Sequence, residues 1–298
     1  MQQRINLEKI IWESGNAPQF SFTLARLDLL HPVVSGNKIF KLKYNLELCH
    51  AQGKSGIITM GGAYSNHLAA AAFACKEAGL SSIGLIRGET DDLLNPTLQF
   101  CRECGMQLIS ISRSGFQRDS TEIENKLIAH PDYFFVPEGG DNEWGEKGCK
   151  EILPRIQEFS SYTHLVTAIG TGTTCRGLLA TANPNQTVLG IPVLRIKTEE
   201  QESFIHKHLS VHSKATKQVL FEYAGKGYGK KEDILFSFMN IFFQKTGIPL
   251  DFVYTAKTLQ AVIDLFEKKR LTNNDHVLVF HTGGLQGNKS LPSGTLLY

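Results

Sequence analysis

The sequence predicts an α/β protein built from two open, doubly wound parallel sheets. Short apolar segments recur along the chain, each ends at a glycine or a turn, and helix-like patterns separate them. Near-continuous apolar strands that alternate with helices are typical of parallel sheets covered on both faces. With 298 residues the chain exceeds one comfortable hydrophobic core, which favours two domains.

The predicted strands follow one another along almost the whole chain. They are residues 55–60, 82–87, 106–112, 133–136, 164–169, 187–194 and 276–280. Between them, a helical pattern over 65–78 stops at Gly79, and another over 232–245 stops at Gly247. Asn95 and Pro96 form a typical helix start, with Gly105 at the end of that helix.

Composition and charge exclude several classes of protein. A formal net charge of +2 gives no electrostatic footprint for nucleic acid. No apolar run is long enough to span a bilayer, and residues 1–17 lack the apolar stretch of a signal peptide. The six cysteines are scattered, as expected for reduced thiols, so we expect a cytoplasmic protein.

Two groupings resemble metal sites only superficially. Cys101 and Cys104 form a lone C-x-x-C on a predicted helix, without a second pair at matching spacing. His206, His208 and His212 lie in a polar stretch that no carboxylate or cysteine joins at ligand spacing, which favours a solvated face. The sequence therefore predicts no metal site.

Two strings near the amino terminus carry the chemistry. Lys38 follows Gly36 and Asn37, and a lysine in such a turn can be desolvated and kept neutral, as a nucleophilic amine requires. The second string, residues 61–67, ends an apolar strand and opens an alanine-rich helix. Its free backbone N–H groups can receive an anion, so an amine and an anion site are predicted close together.

Glycine clusters follow four of the predicted strands, at 61–62, 139–140, 170–172 and 283–284. Because ligands of open α/β sheets sit beyond the carboxyl ends of the strands, one composite site on one rim is the economical interpretation. The loop Gly170-Thr171-Gly172-Thr173-Thr174, called the cup below, offers converging N–H groups and threonine hydroxyls. It lacks the lysine of a nucleotide-binding P-loop, so a monophosphate is the better fit.

From about Arg26 through Asn288, the chain resembles the family of 1-aminocyclopropane-1-carboxylate deaminases and D-cysteine desulfhydrases. These are pyridoxal-phosphate enzymes of fold type II, with the fold of the tryptophan synthase β subunit. The resemblance assigns covalent attachment of the cofactor to Lys38 and a phosphate contact to Lys41. It also implies that the cup (Gly170, Thr171, Gly172, Thr173 and Thr174) binds the phosphate.

The resemblance further implies the residues around the substrate and the cofactor ring. Ser65 would hold the substrate or relay a proton to it, and Asn66 would contact the ring hydroxyl. Tyr254 would lie over the substrate, where it could protonate the leaving group, and Tyr228 would be a second active-site tyrosine. A small amino acid is the implied substrate, with Ser65, Asn66, His67 and Tyr254 as its binding residues.

Three positions separate the two branches of the family. The deaminases carry glutamine, glutamate and leucine where this chain has His67, Thr255 and Thr282. A carboxylate beside the pyridine nitrogen makes the ring a strong electron sink, whereas threonine hydroxyls can only hydrogen-bond it. Expelling a thiolate demands less of the sink than opening a cyclopropane, so β-elimination from D-cysteine is the preferred prediction.

Three alternatives stay open at this stage. One is 1-aminocyclopropane-1-carboxylate deaminase activity, which releases 2-oxobutyrate and ammonia. Another is a non-catalytic protein that binds pyridoxal phosphate or a phosphorylated metabolite, and a dehydrogenase is weaker because no G-x-G-x-x-G fingerprint is present. The resemblance also implies a homodimer, a large cofactor-binding domain of residues 1–41 and 138–298, and a small domain of residues 42–137.

Overall fold

The structure, a computed structural model, describes residues 4–14, 17–88 and 95–298. Ten strands occur within these ranges. They are β1 (Asn6–Ser14), β2 (Ala17–Arg26), β3 (Gly56–Gly61), β4 (Ser81–Arg87), β5 (Met106–Ile111), β6 (Tyr133–Val136), β7 (His164–Ile169), β8 (Thr187–Pro192), β9 (Thr216–Val219) and β10 (Val277–His281).

Nine α-helices accompany the strands within the described residues. They are α1 (Lys38–Ala51), α2 (Asn66–Glu77), α3 (Pro96–Glu103), α4 (Thr121–Ala129), α5 (Glu143–Cys149), α6 (Thr173–Thr181), α7 (Gln201–Leu209), α8 (Asp233–Thr246) and α9 (Thr255–Glu267). The predicted stop at Gly247 is confirmed, because this glycine closes α8 in the left-handed region with φ +71°.

The smaller sheet has four strands in the order β5-β4-β3-β6, and all its pairs are parallel. Every residue of β3 is buried, which explains why this strand is continuously apolar in the sequence. Helix α2, with its run of alanines, packs against both β3 and β4. Small side chains on this helix let it lie close to the sheet.

The larger sheet has six strands in the order β1-β2-β10-β7-β8-β9. All neighbouring pairs are parallel except β1 and β2, which form an antiparallel hairpin at the edge. The predicted doubly wound α/β class is confirmed, with this mixed edge as the difference. The hairpin was not predicted because charged residues interrupt the apolar residues of β1, unlike the continuous apolar strands of the parallel sheets. Strand β9 was not predicted because it is a short, polar edge strand.

All six cysteines are buried free thiols. Within the described part of the chain, no helix combines the length and apolar character needed to cross a membrane. Helix α1 begins before the domain boundary predicted between residues 41 and 42 and continues beyond it. The domain limits therefore stay a prediction.

Candidate active site

A cavity of about 580 Å³ lies at the carboxyl ends of strands from both sheets. Its walls come from α1, the β3–α2 turn, the ends of β4, β6, β8 and β10, the cup, and the segments before α8 and α9. Most of the predicted site residues line it: Lys38, Lys41, Ser65, Asn66, His67, Gly170, Thr171, Gly172, Thr174, Tyr228, Tyr254 and Thr282. Thr173 and Thr255 do not.

Lys38 is the first residue of α1, and its amine faces this cavity. Burial, helped by the charge of Lys41, lowers the pKa of the Lys38 amine to about 7. The Nζ atom donates a hydrogen bond of 2.7 Å to Oδ1 of Asn37. A lysine with this pKa is substantially uncharged near neutral pH, as a nucleophile or a proton acceptor must be.

Lys41 lies one turn further along α1 and is only 5% exposed. Its Nζ atom makes no hydrogen bond to any residue that the structure describes, and burial lowers the pKa of this amine. A buried cation without a partner is costly, so an anionic ligand beside it would be strongly favoured. Lys41 therefore marks an anion site.

The cup joins β7 to α6. Gly172 has φ +88°, and a methyl group there would lie 2.1 Å from the carbonyl oxygen of His208, so only glycine fits. No side chain of a described residue caps the start of α6, which leaves its first N–H groups available to a ligand. The Thr173 hydroxyl is buried and donates to Asp141, so this threonine supports the cup from behind.

Arg176 braces the cup from outside. Its guanidinium binds the carboxylates of Asp141 and Glu146 at 2.5 and 2.9 Å, and it donates to the carbonyl of His208 at 2.8 Å. The expectation that His208 belongs to a solvated histidine face is wrong. This residue is half-buried and lines the cavity, because α7 packs against α6.

The β3–α2 turn presents Ser65 and Asn66. The Ser65 hydroxyl caps α2 by accepting from the N–H groups of His67 and Leu68 at 3.2 and 3.3 Å. The Asn66 side chain accepts from the backbone N–H of Gln286, beyond β10, at 3.0 Å. Asn66 thus links the turn of one sheet to the last strand of the other.

His67 is 2% exposed and is held in one tautomer. The Thr59 hydroxyl donates to the carbonyl of Val136 at 2.6 Å, so it must accept the N–H of His67 Nε2 at 2.9 Å. Burial and the charges of Lys38 and Lys41 hold the pKa of His67 well below its usual range. His67 is therefore a neutral ring whose Nδ1 has no partner among the described residues.

Tyr254 and Tyr228 both line the cavity and contact each other edge to face, with ring centroids 6.1 Å apart. The Tyr254 hydroxyl donates to that of Tyr228 at 3.2 Å, and burial raises the pKa of Tyr254 well above its usual value. The Asp251 carboxylate positions Tyr254 by accepting from the N–H groups of residues 253, 254 and 255, at the start of α9. Tyr254 is thus a fixed, protonated donor.

The two threonines predicted beside the cofactor ring occupy different places. The Thr255 hydroxyl donates to the Asp251 carboxylate at 2.8 Å and lies outside the cavity. Thr282, after β10, lines the cavity, and its hydroxyl makes no hydrogen bond within the described residues. Only the second has a hydroxyl free for a ligand.

Several cavity residues were not predicted from the sequence. They are Asn37, Tyr64, Arg87, Glu138, Leu194, His208, Lys230 and Val253. Arg87 is the last residue of β4, and Glu138 lies two residues beyond β6, so the rule that ligands lie at the carboxyl ends of strands could have found them. Lys230 and Asn37 carry no such signal.

These residues fit pyridoxal phosphate. The Lys41 amine, which no described residue binds through a hydrogen bond, and the start of α6 suit its phosphate, and the amine of Lys38 suits its aldehyde. The hydroxyl of Thr282, which no described residue binds, and the amide of Asn66 can form hydrogen bonds with the polar atoms of the cofactor ring. One cavity thus contains a donor set for each end of the cofactor.

Comparison with known proteins agrees with this fit. A family model described as pyridoxal-phosphate dependent enzyme matches residues 16–283. A Thermotoga maritima protein provisionally named 1-aminocyclopropane-1-carboxylate deaminase is 27% identical over 287 residues, covering 90% of each chain. The D-cysteine desulfhydrase of Salmonella paratyphi A is 25% identical over 289 residues, covering 88% of this chain and 86% of that one.

Among solved structures, that of an ACC deaminase homologue superposes with a TM-score of 0.72 at 25% identity. The match covers 90% of this chain and 86% of the other. The predicted fold of type II pyridoxal-phosphate enzymes is thereby confirmed.

Proposed function

Because the chain belongs to the family of pyridoxal-phosphate-dependent enzymes, we propose that it converts D-cysteine and water into pyruvate, ammonia and hydrogen sulfide. Whatever its substrate, the chain is a pyridoxal-phosphate enzyme of the deaminase and desulfhydrase type, to which its relatives belong. Both types of relative match it at comparable identity, so the choice of substrate depends on the site.

The observation that carries this choice is that Thr255, where the deaminases carry glutamate, gives its hydroxyl to Asp251, whereas Thr282 lines the cavity with a hydroxyl that no described residue binds. A hydroxyl beside the ring nitrogen donates or accepts one hydrogen bond, but it cannot hold a proton there as a carboxylate does. The resulting electron sink is weaker. A thiol of pKa about 8.5 is a much better leaving group than the ring carbon of a cyclopropane, so a weaker sink suffices for its elimination.

The residues of this chain divide the work. Cofactor binding is proposed for Lys38, Lys41, Asn66, Thr282 and four residues of the cup, Gly170, Thr171, Gly172 and Thr174. Thr173 and Thr255, which were predicted to contact the cofactor, instead donate to Asp141 and Asp251 and would support the residues that do. Ser65, Asn66 and His67 would hold the small amino acid at the start of α2, where a helix amino terminus favours its carboxylate.

When bound, the cofactor supplies an aldehyde that bonds a primary amine and a ring that withdraws electrons from the α-carbon. The Nζ atom of Lys38, uncharged near neutral pH, would accept the α-proton of the substrate. The Tyr254 hydroxyl, whose partner is Tyr228, would donate a proton to the departing sulfur. The cavity keeps these groups together, since strands of both sheets end there.

A substrate panel tests the proposal. D-cysteine, L-cysteine and 1-aminocyclopropane-1-carboxylate are supplied to the purified holoenzyme, and sulfide, pyruvate and 2-oxobutyrate are measured. The expected result is the highest kcat/KM for D-cysteine. A higher kcat/KM for the cyclopropane substrate would replace the proposal with the deaminase alternative.

Attachment of the cofactor is tested separately. Borohydride reduction followed by peptide mapping is expected to place the cofactor on Lys38. Lys38→Ala should lose the covalent chromophore, whereas the matched control Lys76→Ala, on the exposed part of α2, should keep it. If Lys38 carries the cofactor but no amino acid changes its absorbance, the chain is a binding protein instead.

Three further predictions accompany this function. From the sequence we expect a cytoplasmic enzyme, and from the family resemblance a homodimer, which light scattering on the purified protein would test. We also propose that residues 42–137 form the smaller domain and that residues 1–41 and 138–298 form the larger one. Limited proteolysis should then cut first near the connections between them.

A further inference from the structure

Asn37 stands immediately before α1, where asparagine usually caps a helix. Elsewhere in this chain, serine or asparagine at that position accepts a helix N–H: Ser65, Asn95, Ser120 and Asn142 all do so. The Asn37 side chain makes no such bond, although the residue is buried and only 8% exposed to solvent. Its amide is used for something other than the helix.

Both ends of that amide contact groups of the candidate site. Oδ1 accepts from Nζ of Lys38 at 2.7 Å, and Nδ2 donates to Oγ1 of Thr174 at 2.9 Å. The backbone N–H of Asn37 is held by the carbonyl of Thr282 at 3.0 Å. Asn37 therefore joins the amine of Lys38 to the cup, and it is anchored at the end of β10.

The directions of these bonds matter. The Oγ1 atom of Thr174 accepts from Asn37 and also from the thiol of Cys149, which lies 3.9 Å away. The hydroxyl hydrogen of Thr174 is therefore donated to no described residue. Thr174 lines the cavity, so that hydrogen is free for an anion there. Hydrogen bonds in such a series strengthen one another.

We propose that Asn37 is a positioning residue that holds the free amine of Lys38 and aims the hydroxyl of Thr174 at the phosphate of the cofactor. The inference rests on the proposed attachment of the cofactor at Lys38. The side chain of Asn37 thus fixes the positions of both the Lys38 amine and the Thr174 hydroxyl, which lie at the two ends of the cofactor site.

The test compares Asn37→Asp with Asn37→Leu, which have nearly the same shape. Pyridoxal phosphate is added back to the full-length protein after removal with hydroxylamine, and the rate of attachment is followed by absorbance across pH. A carboxylate at 2.7 Å stabilises the charged amine, so Asn37→Asp should move the midpoint of the profile up by about one pH unit. At a pH below the midpoint, cofactor attachment should then be about tenfold slower in Asn37→Asp than in the wild type.

Asn37→Leu removes the acceptor and should not raise the midpoint. The other groups acting on this amine are the same in both variants: Lys41 on α1, His67 on α2, Cys149 on α5 and Asp251 before α9. Their effect therefore cancels in the comparison. Identical midpoints in both variants and the wild type would overturn the proposal, since a purely structural asparagine moves no pH profile.

A second measurement tests the cup end of the link. Inorganic phosphate should slow attachment by competing for the cup, and Asn37→Leu should weaken this inhibition about fivefold, because Thr174 is no longer oriented. Thr174→Val should weaken it similarly, and the double variant no further. An unchanged inhibition constant in Asn37→Leu would refute the link.

The inference and the proposed function fail in different ways. If peptide mapping of the reduced wild type finds the cofactor on another lysine, the proposed attachment is wrong. If it finds the cofactor on Lys38 while both Asn37 measurements stay at wild-type values, only the role of Asn37 is wrong.

Discussion

Tyr254 illustrates how single residues acquire a role from their surroundings. Its backbone is fixed by Asp251, its hydroxyl points to Tyr228, and its raised pKa keeps the proton in place. Such a group can donate a proton but cannot act as a base at neutral pH. Its contribution must therefore depend on whether the leaving group needs a proton.

We expect Tyr254→Phe to lower kcat for D-cysteine about 100-fold, the usual effect of losing a general acid. With β-chloro-D-alanine the loss should be much smaller, because chloride leaves without a proton. Stopped-flow or steady-state pyruvate release measures both. Tyr228→Phe is the matched control, since it removes the neighbouring hydroxyl and leaves Tyr254 in place.

Equal losses on the two substrates would contradict a proton-donating role for Tyr254. They would indicate instead that the ring orients the substrate. An unchanged thermal unfolding midpoint in both variants is needed for the comparison, because Tyr254 also packs against the core.

At this scale, the sequence predicted residues whose local string is informative and missed those whose role depends on the fold. Lys38 and Ser65 lie in glycine-rich turns after recognisable patterns, so their place could be inferred. Asn37 looks like a helix cap in the sequence, and only its contacts with Lys38 and Thr174 show otherwise. Thr255 is the converse case, because Asp251 takes the hydroxyl that the sequence offered to the cofactor.

The position of helix α1 depends on a close backbone contact between Gly36 and Thr282. Gly36 precedes it with φ +68°, and a methyl group there would lie 1.7 Å from the carbonyl oxygen of Thr282. The contact brings the start of α1 against the end of β10, where Asn37 also bonds Thr282. The position of Lys38 in the cavity follows from this contact.

Gly36→Ala is therefore expected to cost more than about 3 kcal/mol of unfolding free energy and to weaken cofactor attachment. The control is Gly53→Ala, just beyond the other end of α1. Gly53 has a similar φ of +63° but open space around it, so only the backbone cost of about 1 kcal/mol should appear. Urea unfolding and the absorbance of the bound cofactor measure the two effects.

If both variants lose the same stability and both keep the cofactor, the approach of Gly36 to Thr282 is not what positions Lys38. A selective loss of cofactor in Gly36→Ala would support it. The two glycines flank one helix, so differences in helix propensity do not enter.

Strand prediction succeeded inside both sheets and also for β5 and β6, at the edges of the smaller sheet, but it failed at the edges of the larger sheet. Strands such as β3, β7 and β10 lie inside their sheets and are apolar almost throughout, which the sequence displays directly. The β1–β2 hairpin and β9 lie at the edges of the larger sheet, where one face or one side meets water. Their pairing depends on partners distant in sequence, which a local pattern does not reveal.

At the scale of the whole molecule, the site exists only because the two sheets present their strand ends to one cavity. Asn66, after β3 of the smaller sheet, bonds the backbone of Gln286, which follows β10 of the larger sheet. The sequence indicated that the glycine turns lie at the carboxyl ends of strands and form one site. The distance between the strand ends of the two sheets, however, is determined by how the sheets pack together. That distance could be known only from the structure.

A ligand held from both sheets should stabilise the chain as one unit. At a concentration of about a hundred times its Kd, the cofactor should add about 2.7 kcal/mol, or about 5 °C in unfolding temperature. We expect a single calorimetric transition to move upward in the wild type, and to stay there after gel filtration because Lys38 retains the cofactor. Lys38→Ala should show the shift only while free cofactor is present, since the cup alone then holds it. A transition that splits, with only one part responding to the cofactor, would mean that the two sheets do not share the ligand.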